Sequence, residues 1–120
     1  MQKTFRTYDI ERLCPGFKYP SKYLELAKLN DLPDNFPWWF DDADTEGGQL
    51  SLKLRGSYDS WVGVGRKNLI PFAQLNDDAA FFDGDDLSGD PKVIVIDLGN
   101  KERAYELQNF EAWLHDALKG

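Results

Sequence analysis

The sequence predicts an α+β fold, with one or more N-terminal helices, an antiparallel-dominated sheet of five to six strands, and a C-terminal helix packed on that sheet. Three observations carry this expectation. Short apolar runs alternate with Asp-, Gly- and Asn-rich turns between Leu69 and Asp97. Apolar residues recur at helical spacing from Phe110 to Leu118, and a shorter helical stripe around Tyr23 precedes the strand-like runs. At 120 residues the chain fits one domain, 1–120, large enough to bury a core without metals or disulfides.

Taken in order, the first thirteen residues are ambiguous. Phe5, Tyr8 and Leu13 roughly share a helical face, and Cys14-Pro15-Gly16 stops whatever precedes it. Residues 20–30 read as a helix: Pro20 suits a first turn, and Tyr23, Leu26, Ala27 and Asn30 share one face with Leu24 beside it. Leu32-Pro33 and Phe36-Pro37 end that helix, because a proline biases its predecessor away from the α region.

Gly47-Gly48 then introduces Gln49-Leu50-Ser51-Leu52-Lys53-Leu54-Arg55, whose period-two alternation predicts a half-buried antiparallel strand. Gly56–Ser60 reads as a turn and Trp61–Val64 as a second strand. Leu69–Gln74 and Ala79–Asp83 are shorter strand candidates, with Pro71 placing the first at an edge or a bulge. Val93–Ile96 is unbroken β-branched sequence, suited to burial on both faces, and Ala104–Leu107 is placed to pair with it. In the closing helix Asn109 is an N-cap, Glu111 favours the first turn, and Gly120 suits the exit. Its stripe is Phe110, Trp113, Leu114, Ala117 and Leu118.

Composition narrows function. The net charge of −7 is concentrated in two blocks, residues 31–48 and 69–97, each summing to −6. Such a field repels nucleic acid and anionic lipid and speeds encounter with a basic protein; it also serves plain solubility. No stretch approaches the ~20 apolar residues of a membrane span. Met1–Arg6 opens no apolar signal-type run, and the lone Cys14 fits a reducing compartment, so the expected location is the cytoplasm.

Four motifs are weighed as sites. Phe36-Pro37-Trp38-Trp39-Phe40 places four aromatics ahead of Asp41, Asp42 and Asp44, a combination suited to an interface anchor with an acidic collar or to holding a cation over an indole. Adjacent residues in irregular chain rarely point the same way, so one exposed tryptophan is expected from Trp38 and Trp39. The partner-binding candidates are thus Trp38, Trp39, Asp41, Asp42 and Asp44, with Asp85 and Asp86 from the second block. Asp83–Asp90 lacks EF-hand spacing and suits a hairpin turn, so no metal site is expected. Single copies of His115 and Cys14 supply neither a zinc ligand set nor an evident catalytic constellation. Gly63–Arg66 is too short for a nucleotide loop. No cofactor is implied.

The residues Leu69-Ile70-Pro71-Phe72-Ala73, Phe81-Phe82-Asp83, Pro91–Asp97 and Phe110-Glu111-Ala112-Trp113-Leu114 resemble the SUKH superfamily over the C-terminal fifty residues or so. The family's usual Asn-Gly step is missing, with Gly47-Gly48 in its stead. The resemblance implies an α+β binding fold without catalytic apparatus. Bacterial members are similar to immunity proteins that neutralise a cognate toxin, commonly a nuclease or deaminase. The expectation is a non-enzymatic protein that covers the basic face of a toxin domain. Alternatives are a housekeeping regulatory or scaffold protein of the same fold and a small-molecule-binding domain. A pocket with convergent acids beside Trp38 or Trp39 would favour the last of these.

Overall fold

The computed structural model describes residues 4–9, 15–29, 32–33, 36–54, 68–97 and 104–119. The described elements are α1 (Ser21–Lys28), β1 (Trp39–Phe40), α2 (Glu46–Leu54), β2 (Leu69–Leu75), β3 (Asp78–Asp83), β4 (Val93–Asp97), β5 (Ala104–Leu107) and α3 (Phe110–Leu118). The strands form one antiparallel meander in the order β1-β2-β3-β4-β5. The expected α+β class is the observed one.

Local chemistry accounts for the helices. Pro20 stands at the N-cap of α1, which buries Tyr23, Leu26 and Ala27 on the expected face. Asn109 caps α3 by accepting from the Ala112 N–H at 2.8 Å, while its own amide donates to Asp90 at 3.0 Å. Phe110, Trp113, Leu114 and Ala117 are buried as the spacing predicts. Leu118 is not: it is 50% exposed.

Gln49–Leu54 departs from its expected strand, because Glu46–Leu54 is helical, and Arg55 lies outside the described residues. The Thr45 hydroxyl accepts from the Gly48 N–H at 3.0 Å, an N-cap that starts the helix ahead of the glycines. Leu50 lies exposed and Leu52 half-buried, so alternation of the leucines does not correspond to an inside and an outside. Gly47 and Gly48 occupy the first turn, where backbone N–H groups lack helical partners in any case. Glycine is required at Gly48: a Cβ there would stand 1.9 Å from the Asp42 carbonyl oxygen. The expected strand at Trp61–Val64 and turn at Gly56–Ser60 lie outside the described residues, as do Leu13, Cys14 and Gly120. Residues 4–9 are not helical; Phe5 and Tyr8 are buried, and the Phe5 N–H donates to the Ala27 carbonyl at 3.1 Å.

The strand candidates at 69–74, 79–83, 93–96 and 104–107 all appear. Pro71 marks a bulge, since Pro71 faces Phe81 while Ala73 faces Ala80, leaving Phe72 as the extra residue. β1 pairs only with Gln74 and Ala73, so Pro71 lies past its end and owes it no hydrogen bond. β4 is buried from Val93 to Ile96 on both faces.

One face of the sheet carries the main core, to which α1 and α3 contribute. Its centre is aromatic: Phe72 stacks on Phe82 at 4.2 Å, and Trp113 and Tyr23 meet Phe72 edge-on at 4.9 and 6.0 Å. Leu69, Ala79, Phe81, Ile94 and Ile96 form a second buried cluster on the opposite face.

Removing residues 109–120 takes Phe110, Trp113 and Leu114 from this core. Each large apolar side chain contributes about 1.5–3 kcal/mol when buried. Their sum matches much of the ~5–15 kcal/mol stability of an ordinary domain. The expected product is unfolded or aggregated by circular dichroism; a native-like cooperative melt would show that α3 is an appendage.

Candidate functional site

A site forms where β1 leaves the sheet edge and α2 begins. The bulge aims the Phe72 carbonyl at the Asp41 N–H, which donates to it at 2.8 Å and carries the chain out of β1. Asp42 then turns the chain into α2: its side chain accepts from the Asp44 N–H at 2.9 Å, and its carbonyl accepts from Thr45. On the other side of this turn, the Tyr8 hydroxyl donates to the Gly48 carbonyl.

Between β1, α2 and the bulged end of β2 lies an open cleft of about 470 Å³. Apolar residues Leu50, Pro71 and Phe81 line much of it, and Asp41, Ser51 and Gln74 supply polar groups. Trp39 stands at the cleft with 77% of its surface exposed. Trp39 pairs with Gln74 in the sheet, which places it on the face opposite the main core, whereas Phe40 pairs with Ala73 and turns inward.

Asp41 is the unusual group here. It is only 8% exposed. One carboxylate oxygen accepts from Gln74 Nε2 at 3.1 Å and from the Ser51 hydroxyl at 3.4 Å, while Oδ2 is buried without a hydrogen-bond partner. Burial pushes its carboxyl up from the usual 3.8 to about 6, opposed by the hydrogen bonds from Ser51 and Gln74. Among the described residues, no cation pairs with it. The nearby Tyr8 and Tyr23 hydroxyls are themselves pushed up, by burial first and then by other groups that include the Asp41 charge. The Tyr23 hydroxyl is also buried and unbonded.

The residues singled out by sequence divide into three groups. Trp39, Asp41 and Asp42 come together at the cleft, with Asp44 two residues on. Trp38 does not join them: it is 6% exposed and packs edge-on against Trp113 at 5.2 Å, so it cannot act as a surface anchor. The expected single exposed tryptophan is Trp39. Asp85 and Asp86 follow the end of β3 and do not line the cleft, which reaches along that strand as far as Phe81.

That second acidic block is largely occupied with holding its own turn. Asp86 accepts from the Ser88 and Lys92 N–H groups at 3.2 and 3.1 Å. These bonds outweigh the opposing desolvation and keep its carboxyl below the usual range. Asp85 accepts from the Asn68 amide at 2.8 Å, and Asp83 from the Asp85 N–H at 3.0 Å. The first block is also partly engaged, since Arg6 reaches Asp44 at 3.3 Å in an exposed ion pair. Among the described residues, no group of three metal-binding side chains gathers. Nor is any described helix long and apolar enough to cross a membrane.

Ser51, Gln74 and Leu50 belong to the site without having been signalled by sequence. Asp41 lies 10 positions from Ser51 and 33 from Gln74, so only the β1–β2 pairing and the α2 turn bring them together. Compared with known proteins, the chain matches no family model, no curated protein and no solved structure.

The raised Asp41 carboxyl has a defined consequence for stability. The folded state holds this proton more tightly than the unfolded chain. Its contribution is therefore most favourable below pH ~4, falls as pH rises toward about 6, and is flat above. The full swing is about 3 kcal/mol for the shift from 3.8 to about 6. Asp41→Asn keeps an acceptor for Gln74 and Ser51 and removes the charge. The variant should equal the parent near pH 4 and exceed it by up to about 3 kcal/mol at pH 7. Urea melts of both proteins across that range test this; parallel pH profiles would show Asp41 to be unperturbed.

Proposed function

We propose that the chain is a non-enzymatic protein-binding domain of the immunity type. It acts in the cytoplasm by covering the basic face of a partner, most concretely a toxin domain of the nuclease or deaminase kind. The observation that carries this reading is the indole of Trp39, 77% exposed on edge strand β1 at a cleft that Asp41 and Asp42 also line, with Asp44 two residues on in the chain. A large aromatic left in water at the rim of a cleft gains most from burial against a partner, and tryptophan is prominent among interface hot spots. The surrounding carboxylates favour a cationic partner and speed its approach. The SUKH resemblance of the C-terminal half supports the same role.

In this reading the contact residues are Trp39, Asp42 and Asp44, with Asp41 behind them. Asp85 and Asp86 contribute to the long-range field from the turn that follows β3. A regulatory or scaffold protein of the same fold would use the same surface. The small-molecule alternative draws on a specific observation, the cleft of about 470 Å³ with a buried carboxylate in its wall. Apolar-lined clefts with a few placed polar groups are where small ligands bind. Its open form and its placement beside an exposed indole fit a protein side chain better.

The test uses the protein encoded beside this gene, or the one that co-purifies with it. Trp39→Ala should raise the off-rate by at least about tenfold, the loss of a ~1.4 kcal/mol contact. Asp42→Asn together with Asp44→Asn should lower the on-rate, with a weaker salt dependence than the parent. Iodide should quench Trp39 in the free protein and not in the complex. Binding indifferent to salt and to all three substitutions would remove this surface from the interface.

A further inference from the structure

Three features of the cleft are unexplained by packing alone. Asp41 is more than nine-tenths buried, no cation among the described residues faces it, and its Oδ2 lacks a hydrogen-bond partner. The exposed Trp39 indole stands at the same cleft. Pro71 and Phe81, a cross-strand pair of β2 and β3, provide apolar wall at the same cleft. Buried carboxylates are ordinarily paired, because an unpaired one lowers stability. A charge kept in place at such a cost, beside an opening large enough for a side chain, is the signature of a receptor site whose counter-ion arrives from outside.

We infer that the cleft beside Trp39 is a receptor for a single arginine side chain from the protein partner, with Asp41 receiving the guanidinium and Trp39 stacking on it. This rests on the protein-binding reading and adds the chemistry of its central contact. Arginine fits better than lysine for three reasons. Its planar group can lie on an indole face while donating sideways to a carboxylate. It is more weakly hydrated than an ammonium, so less is lost on entering a partly enclosed cleft. Several N–H donors can also engage more than one acceptor, and Ser51 Oγ lies in the same wall, already accepting from Gln74 Nε2 at 2.6 Å. Ser51 holds Asp41 only loosely, at 3.4 Å, and is the contact an entering guanidinium would displace. The three methylenes of arginine would run along Pro71 and Phe81.

The experiment uses the full chain, isotopically labelled, and the probe Nα-acetyl-arginine methylamide. Its uncharged counterpart is the citrulline analogue, and the lysine analogue is the third arm. The readouts are the Trp39 indole N–H and the Gln74 side-chain amide in nitrogen–proton correlation spectra. The arginine probe should give saturable shifts at both, with Kd on the order of millimolar. The citrulline probe should bind at least tenfold more weakly. Asp41→Asn and Trp39→Ala should each weaken the arginine probe at least tenfold while leaving the remaining spectrum native. Absence of saturable shifts, equal binding of citrulline, or indifference to Asp41→Asn would overturn the proposal. Equal or tighter binding of lysine would overturn the choice of arginine. Should the probe fail while Trp39→Ala still weakens the complex with the co-purifying protein, the arginine site falls and the protein-binding reading stands. Failure of both removes both.

Discussion

The bulge in β2 is the constraint on which the rest of the structure depends. Phe72 is the extra residue between the Pro71–Phe81 and Ala73–Ala80 pairs. Its ring enters the core, where it stacks on Phe82 and receives the edges of Tyr23 and Trp113. Its carbonyl accepts the Asp41 N–H and so fixes where the chain departs from β1. One residue thereby joins the packing of α1 and α3 to the position of the cleft. Proline at the start of the bulge supports this arrangement, because its missing N–H falls beyond the end of β1.

The turn from β1 into α2 is held from both sides. Asp42 ties the turn through its side chain and its carbonyl, and Tyr8 anchors the first turn of α2 through Gly48. Gly48 can approach the Asp42 carbonyl only because it has no Cβ. The resulting rigidity keeps Asp41 buried against Ser51 and Gln74 although its charge would be more stable in water. Stability and site chemistry thus oppose each other at this position, as they commonly do where a group is kept for binding. The neighbouring Tyr23 hydroxyl, buried and unbonded, adds to the polar strain of the same region.

Acidity has two distinct uses in this protein. Around Asp83–Asp90 the carboxylates accept backbone and amide N–H groups and define a turn whose Asp90 also reaches the cap of α3. Around Asp41–Asp44 one carboxylate is buried in a cleft wall, while Asp44 is exposed and pairs with Arg6. Surface pairs of that kind are worth little and yield readily to a competing partner. Both blocks still contribute to the negative field, which acts over about a Debye length regardless of local hydrogen bonds.

The sequence by itself determined the class of the fold and most of its sheet. Unbroken β-branched runs, turn residues between them and a capped apolar stripe at 110–117 are local signals, and local signals survive into the structure. Alternation failed at Gln49–Leu54 because leucines two apart satisfy a strand pattern whether or not they are buried, and the Thr45 cap decides for helix. β1 escaped notice because two residues carry no periodicity; they are a strand only through pairing with the bulged end of β2. The same limit governs the site. Aromatic and acidic residues at 36–44 were legible as unusual, and one of the two tryptophans was expected to face water. Which one did so, and that Asp41 would lie buried against Ser51 and Gln74, were decided by tertiary structure alone. Sheet register sets the side to which each residue points, and burial sets what a carboxylate costs. Neither quantity exists until the strands have met.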